Sequence, residues 1–247
     1  MANRPAMVFG LAALIAVPLS AAETAASIGP KQPFEQSSTQ SLKFAPGGTI
    51  HVNSSYGFLT VEGWDEPEVQ ITVIKSTDSF YNPSQEKEAA QRFEQIQVAA
   101  ERVSDKELSI TTTVPVRRRA WAPPLKKRAH LGITVEYKIL VPRDSRLVVK
   151  HDNGYVWVSD LTGDVEVRSH TGDMIVALPD PGPYSINAST RVGSVSSDFT
   201  ARNKSEFFFG TQYAYPSEAS SRRVLLRMGR GSITILKGPA FAPFYKD

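Results

Sequence analysis

The 247-residue sequence contains no cysteine. Disulfides and thiolate metal sites are therefore excluded, and an exported chain of this composition must hold together through its packed core alone. Charge of one sign is also scarce. The formal net charge is +3, which falls by one to +2 if Arg4 is removed with a leader, too little for a general nucleic-acid binder. Long apolar runs are missing beyond the first residues, so no later segment approaches the roughly 20 residues a spanning helix requires. The four histidines His51, His130, His151 and His170 are scattered without a metal-ligand spacing. Counted from Gly154 and Gly172, His151 and His170 fall on opposite faces of their strands. No Gly-x-Ser-x-Gly elbow occurs. These absences predict neither a catalytic residue nor a bound metal or cofactor, and the chain reads as a non-enzyme.

What is present begins with an export signal. Arg4 gives a charged start, Val8 to Leu19 an apolar run, and Ser20, Ala21 and Ala22 small residues for cleavage, so residues 1–22 read as a signal peptide. No cysteine follows for lipidation, and the mature chain is expected to be soluble in the periplasm, at the cell surface or outside. Residues 23–41, rich in Ala, Ser, Gln and Pro, show no hydrophobic period and predict a flexible leader. Residues 42–247 then predict one β-rich domain. Thr49 to Val52, Val69 to Ile74, Ile133 to Val141 and Leu147 to Lys150 alternate with period 2. One helix is predicted after Asn82 as cap, with Pro83 in its first turn, Gln85 completing a capping box and Ala89, Ala90 and Phe93 on one face. A hairpin follows, turning at Ser104 to Lys106.

A glycine-x-apolar-x-apolar unit recurs in constant phase. Gly154 precedes Val156 and Val158, Gly163 precedes Val165 and Val167, and Gly172 precedes Met174 and Val176. Gly57 and Gly231 repeat it with Leu59 and Val61 and with Ile233 and Ile235, and Gly193 begins a degenerate copy with Val195 and Ser197. Glycine supplies a corner of positive φ or close backbone approach, and the second and fourth residues after it turn inward. Gly154, Gly163 and Gly172 stand nine residues apart, which gives two faces and about eighteen residues per coil. The reading is an all-β parallel β-solenoid or β-roll with one short helix and a hairpin; an antiparallel sandwich is the alternative.

The stretches GGTIHVNSSYGFLTVEGWDEPEVQITVIK, ITVEYKILVPRDSRLVVKHDNGYVWVSDLTGDVEVRSHTGDMIVAL and MGRGSITI, in that order, resemble the bacterial putative-adhesin family, a domain of unknown function with glycine-punctuated β-strand repeats. The resemblance implies an exported β-repeat domain, an adhesin or scaffold holding an envelope or extracellular partner, and brings no catalytic residues. A carbohydrate-active β-helix enzyme or a polysaccharide-binding protein is the alternative.

Segment 116–130 departs from the family pattern. It places Arg117, Arg118, Arg119, Lys126, Lys127 and Arg128 around Trp121, Pro123 and Pro124. Its charge and Trp121 suit an anionic partner, whether envelope lipid, acidic glycan or another envelope protein, while a solvated loop explains the same composition. Asp164, Glu166 and Arg168 occupy alternate outward positions and read as surface ion pairs. Tyr155 and Trp157 also point outward, where they stack on a ligand or lie beneath the 83–103 region.

Overall fold

A computed structural model describes residues 32–81, 86–114, 133–180, 182–200, 203–206, 209–215 and 222–238. The signal segment, Asn82, Pro83, Gln85 and the basic segment 116–130 lie outside these residues. The fold is all-β with one helix, α1 (Glu86–Glu94), whose Ala89 and Phe93 are buried as the periodicity requires.

Among the described residues six strand units, called coils here, make up the parallel part of one large sheet, and each contributes one segment to a first ladder, or face, and one to a second. They are β2 (Thr49–Ser54) with β3 (Gly57–Trp64), β6 (Glu107–Thr113) with β7 (Ile133–Pro142), and β10 (Tyr184–Val192) with β11 (Val195–Ser197). The long strands β8 (Arg146–Ser159) and β9 (Val165–Leu178) each cover both faces, and β14 (Arg222–Arg230) with β15 (Ile233–Lys237) completes the set. Within each face the coils pair in parallel. Leu147 faces Val165 and Gly154 faces Gly172, an offset of eighteen residues, as the nine-residue glycine spacing predicts.

The sheet as a whole is mixed, which corrects the expectation of a parallel stack throughout. Beyond β6 on the first face lies β5 (Gln97–Ser104), the antiparallel partner of the predicted hairpin. Beyond β7 on the second lie β4 (Glu68–Tyr81) and then β1 (Gln32–Lys43), both antiparallel. At the other end β13 (Thr211–Tyr215) pairs antiparallel with β10 and carries β12 (Asn203–Glu206). Nor do the coils stack in chain order: β2/β3 lies between β6/β7 and β8, and β14/β15 between β9 and β10/β11.

The start of the folded region also needs correction. Residues 32–41, read as flexible leader, belong to β1, which extends the sheet next to β4. Glu35 to Ser41 are exposed on both sides of the strand, so no hydrophobic period marks it. Its ladder to β4, the 3.0 Å Thr39–Thr72 hydroxyl contact and the Phe34–Phe93 ring stack at 5.3 Å secure it instead.

The corner glycines explain why the coils keep one phase. Gly57, Gly154, Gly172, Gly231 and Gly193 form a ladder with φ between +117° and +135°. A methyl group on Gly172 would overlap the carbonyl oxygen of Gly154, and one on Gly231 that of Gly172. Any side chain here would thus meet both an unfavourable φ and backbone atoms. Gly163 serves the opposite edge by close approach, with Ser145 as the carbonyl it faces. Between the faces, inward residues align in columns such as Ile110, Val52, Val149, Val167, Leu226 and Ala188, all buried. By area burial each fully enclosed Val or Leu contributes roughly 1.5–3 kcal/mol.

Candidate functional site

Counting backward from the corner glycines reveals two rows that forward reading does not. Three residues before the corner the side chain points inward, giving Ser54, His151, Ser169, Met228 and Thr190 across five neighbouring coils. Thr112 extends this row beside Ser54. Among the described residues the hydroxyls of Ser54, Thr112 and Ser169, both ring nitrogens of His151 and the Tyr137 hydroxyl are buried without a hydrogen-bond partner of regular geometry. This is a polar seam inside an apolar core. Burial pushes the Tyr137 hydroxyl up to about 12, against a smaller opposing pull from Thr112. It drives His151 down to about 4, against the smaller effects of Asp152 and the Asn153 and Gly57 backbone.

Four residues before the corner the side chain points outward: Asn53, Lys150, Arg168, Arg227 and Ser189 stand side by side, and Gln212 of β13 continues the row beyond Ser189. Three cations therefore occupy adjacent strands in register, an arrangement that is repulsive in the absence of counter-charge. Arg168 has such a partner in Glu166, at 2.8 Å. Arg227 donates to Asn187 Oδ1 at 2.8 Å and to the Leu226 carbonyl at 3.2 Å. Burial lowers the Arg227 pKa, and Arg168 lowers it further by more than Glu166 raises it.

A groove of about 470 Å³ opens over the part of this row from Arg168 to Gln212. Arg168, His170, Arg191 and Arg227 line it together with Ser189 and Gln212, and Gly210 and Gly229 line it too. A Cβ on Gly229 would overlap the His170 carbonyl, so the strands approach closely there and nothing projects between His170 and Arg191. Phe209, 75% exposed, immediately precedes Gly210.

Of the residues expected to pair on the surface, Glu166 pairs with Arg168 and Asp164 with Arg223. Asp164 accepts from the Arg223 backbone at 2.8 Å and faces its guanidinium at 3.4 Å, while Asp173 accepts from the Ser232 hydroxyl at 2.6 Å. At the return edge Arg143 binds Asp65 at 2.6 Å and lies 3.8 Å from Asp160. His51 meets Glu107 at 3.1 Å. His151 is buried and His170 exposed, so they occupy opposite faces as the spacing predicts. Among the described residues there is no group of three or more His, Asp or Glu placed to hold a metal ion. No helix among them is long and apolar enough to cross a membrane.

Of the aromatic pair, Trp157 is 4% exposed and Tyr155 half-buried beside Phe58, with ring centroids 6.3 Å apart. Trp157 is thus packed rather than offered to a ligand. Helix α1 packs on β4 and β1. Arg117, Arg118, Arg119, Trp121, Lys126, Lys127 and Arg128 lie outside the described residues. Their segment joins the end of β6 to the start of β7, where the other coils have a glycine corner.

No protein-family model matches the chain, and no curated protein matches it. Solved structures resemble it. A putative cell adhesion protein from Clostridium sporogenes is 15% identical with a TM-score of 0.49, over 83% of this chain and 100% of that one. A putative adhesin from Bacteroides fragilis is 13% identical with a TM-score of 0.27, over 81% of this chain and 97% of that one. Another from Parabacteroides distasonis is 10% identical with a TM-score of 0.25, over 82% of this chain and 66% of that one. These structural neighbours are all described as putative adhesins or cell adhesion proteins.

Proposed function

We propose that this chain is an exported, non-enzymatic protein of the cell envelope or cell surface, an adhesin or scaffold that holds its partner through side chains projecting from a rigid β body. In this reading the six coils are a short two-faced solenoid finished by antiparallel strands. One observation carries the proposal: the outward residues of the first face recur in register across five neighbouring strands, and three of them, Arg168, Arg227 and Ser189, border an open groove. Strands about 4.8 Å apart make such a face a repeating array of contacts, suited to a long partner. The engagement of Asp164 by Arg223, Glu166 by Arg168 and Asp173 by Ser232 speaks against a pair of free carboxyls straddling a glycosidic bond.

Segment 116–130 is a second contact region in this proposal, toward an anionic envelope lipid, an acidic glycan or another envelope protein. The test is to express the full chain in its native host, sequence the mature N-terminus and treat intact cells with protease. A mature end near Glu23 and a fraction outside the cytoplasm support the reading. Retention in the cytoplasm with Met1 intact overturns it, and reproducible polysaccharide cleavage lost in Glu166→Gln overturns its non-enzymatic part.

A further inference from the structure

We propose that the groove on the first face binds a linear acidic polysaccharide, laid across the strands along the row of Lys150, Arg168, Arg227, Ser189 and Gln212. The inference rests on the surface-protein reading for its biological setting, and on the geometry of the row for its chemistry.

Three features select the ligand class. First, the row is cationic in its middle and neutral at either end: Asn53 precedes Lys150, Arg168 and Arg227, and Ser189 and Gln212 succeed them. A ligand that fits it needs anionic groups and neutral hydroxyls along one chain. Second, from Lys150 to Gln212 the row spans five strands, about 19 Å at the spacing of a β-sheet. A sugar unit extends a linear polysaccharide by about one strand spacing, so successive units meet successive rungs. Third, positive charge is left over in the groove. Arg168 is matched by Glu166, whereas Arg227 is held by neutral acceptors, and Arg191 also lines the groove. A carboxylate or sulfate bound between Arg168 and Arg227 supplies the counter-charge that two neighbouring guanidinium groups call for, through the fork geometry that makes arginine suited to such anions.

The form of the groove argues against a lipid surface as the occupant. From Arg168 to Gln212 the row lines a depression that Gly229 and Gly210 also line, so a flat bilayer would not reach that part of it. Among the described residues Phe209 beside it is an exposed ring, a shape that an apolar sugar face fits.

The experiment measures binding of the full mature chain to polygalacturonate, to neutral dextran, and to phosphatidylcholine vesicles containing phosphatidylglycerol. Each probe is tested against three proteins: the parent, Arg168→Gln/Arg227→Gln, and a variant with the six basic residues of segment 116–130 changed to Gln. Far-ultraviolet circular dichroism and melting temperature establish that each protein is folded. Expected results are saturable binding of polygalacturonate, no binding of dextran, and a loss of at least about tenfold in the groove variant, since each charged hydrogen bond contributes on the order of a factor of ten. The loop variant should retain that saturable binding, and affinity should fall with added salt. If Arg227 is needed for folding, Gln212→Ala/Ser189→Ala gives the second reading, with an expected loss of a few-fold.

Equal polygalacturonate binding by parent and folded groove variant overturns the proposal, as does binding carried entirely by the basic segment. Vesicle binding that weakens in the groove variant while polygalacturonate is ignored overturns it in favour of a lipid headgroup. Because these are measurements on purified protein, a cytoplasmic location in the host would defeat the surface-protein reading and leave the groove result standing.

Discussion

Lowering the pH from 7.5 to 4.5 should weaken this fold through His151, by an amount that the seam around it sets. The imidazole is 3% exposed, and its neighbours across the ladder are Ser54 and Ser169. Asp152, adjacent in sequence, favours the charged form, but burial outweighs it and holds the folded pKa near 4, against an ordinary 6.5. The folded value lies below the unfolded one, so the unfolded chain takes up the proton first. Stability from keeping His151 neutral is complete above the unfolded pKa and disappears as pH falls from about 6.5 to about 4. With those two values the loss at pH 4.5 is about 2.5 kcal/mol. Denaturant unfolding of the parent and of His151→Gln at both pH values isolates this contribution, because carboxylates elsewhere titrate alike in the two proteins. The parent should lose about 2.5 kcal/mol more than the variant over this interval. An equal loss in both would refute the reasoning and mean that the seam admits enough solvent or counter-charge to hold a proton on His151.

Gly172→Ala, whose methyl group would strike the Gly154 carbonyl at φ +128°, should cost at least about 3 kcal/mol or prevent folding. Gly238→Ala, at φ +93° with open space around it, should cost only about 1–2 kcal/mol in the same melts. Val167→Asp places a charge in the fully buried column and should destabilise by about 3 kcal/mol or more, whereas Glu166→Gln on the surface should stay within about 1 kcal/mol; equal losses would refute the inward and outward assignment. Neutralising the six cations of segment 116–130 should leave the melting temperature within a few degrees of the parent, and a collapse would show that the segment packs on the β body.

The inward residues were legible because strands and glycines impose rigid periods. Every apolar residue placed inward after Gly57, Gly154, Gly163, Gly172 and Gly231 is buried. Two things escaped. Strand β1 is polar on both sides and owes its place to backbone pairing with β4, a partner that composition does not disclose. The cationic row escaped because Lys150 and Arg168 are eighteen residues apart, while Arg227 joins them only through the placement of β14 beside β9. Yet a signal was present: Lys150, Arg168 and Arg227 each stand four residues before a corner glycine. Aligning the copies on their glycines and reading upstream as well as downstream would have found both this row and the seam containing His151. Trp157 shows the limit of alternation, since an outward-pointing residue can still be buried.

The order of the coils also bears on how such a protein could grow. In an array whose neighbours in space are neighbours in sequence, copying any one repeat lengthens the whole. Here β8 and β9 are consecutive in both senses, whereas β2/β3 and β14/β15 are wedged between coils remote in the chain. A duplicated coil inserted between β8 and β9 would find a ready parallel neighbour on either side and continue the glycine ladder. The same duplication placed after β3 or before β14 would add a coil whose neighbours in the chain, β3 and β4 or β13 and β14, are not neighbours in the sheet. Lengthening by tandem duplication, in a genome or at the bench, therefore has its natural entry point at residues 160–164, and a longer body built there would carry a longer outward row.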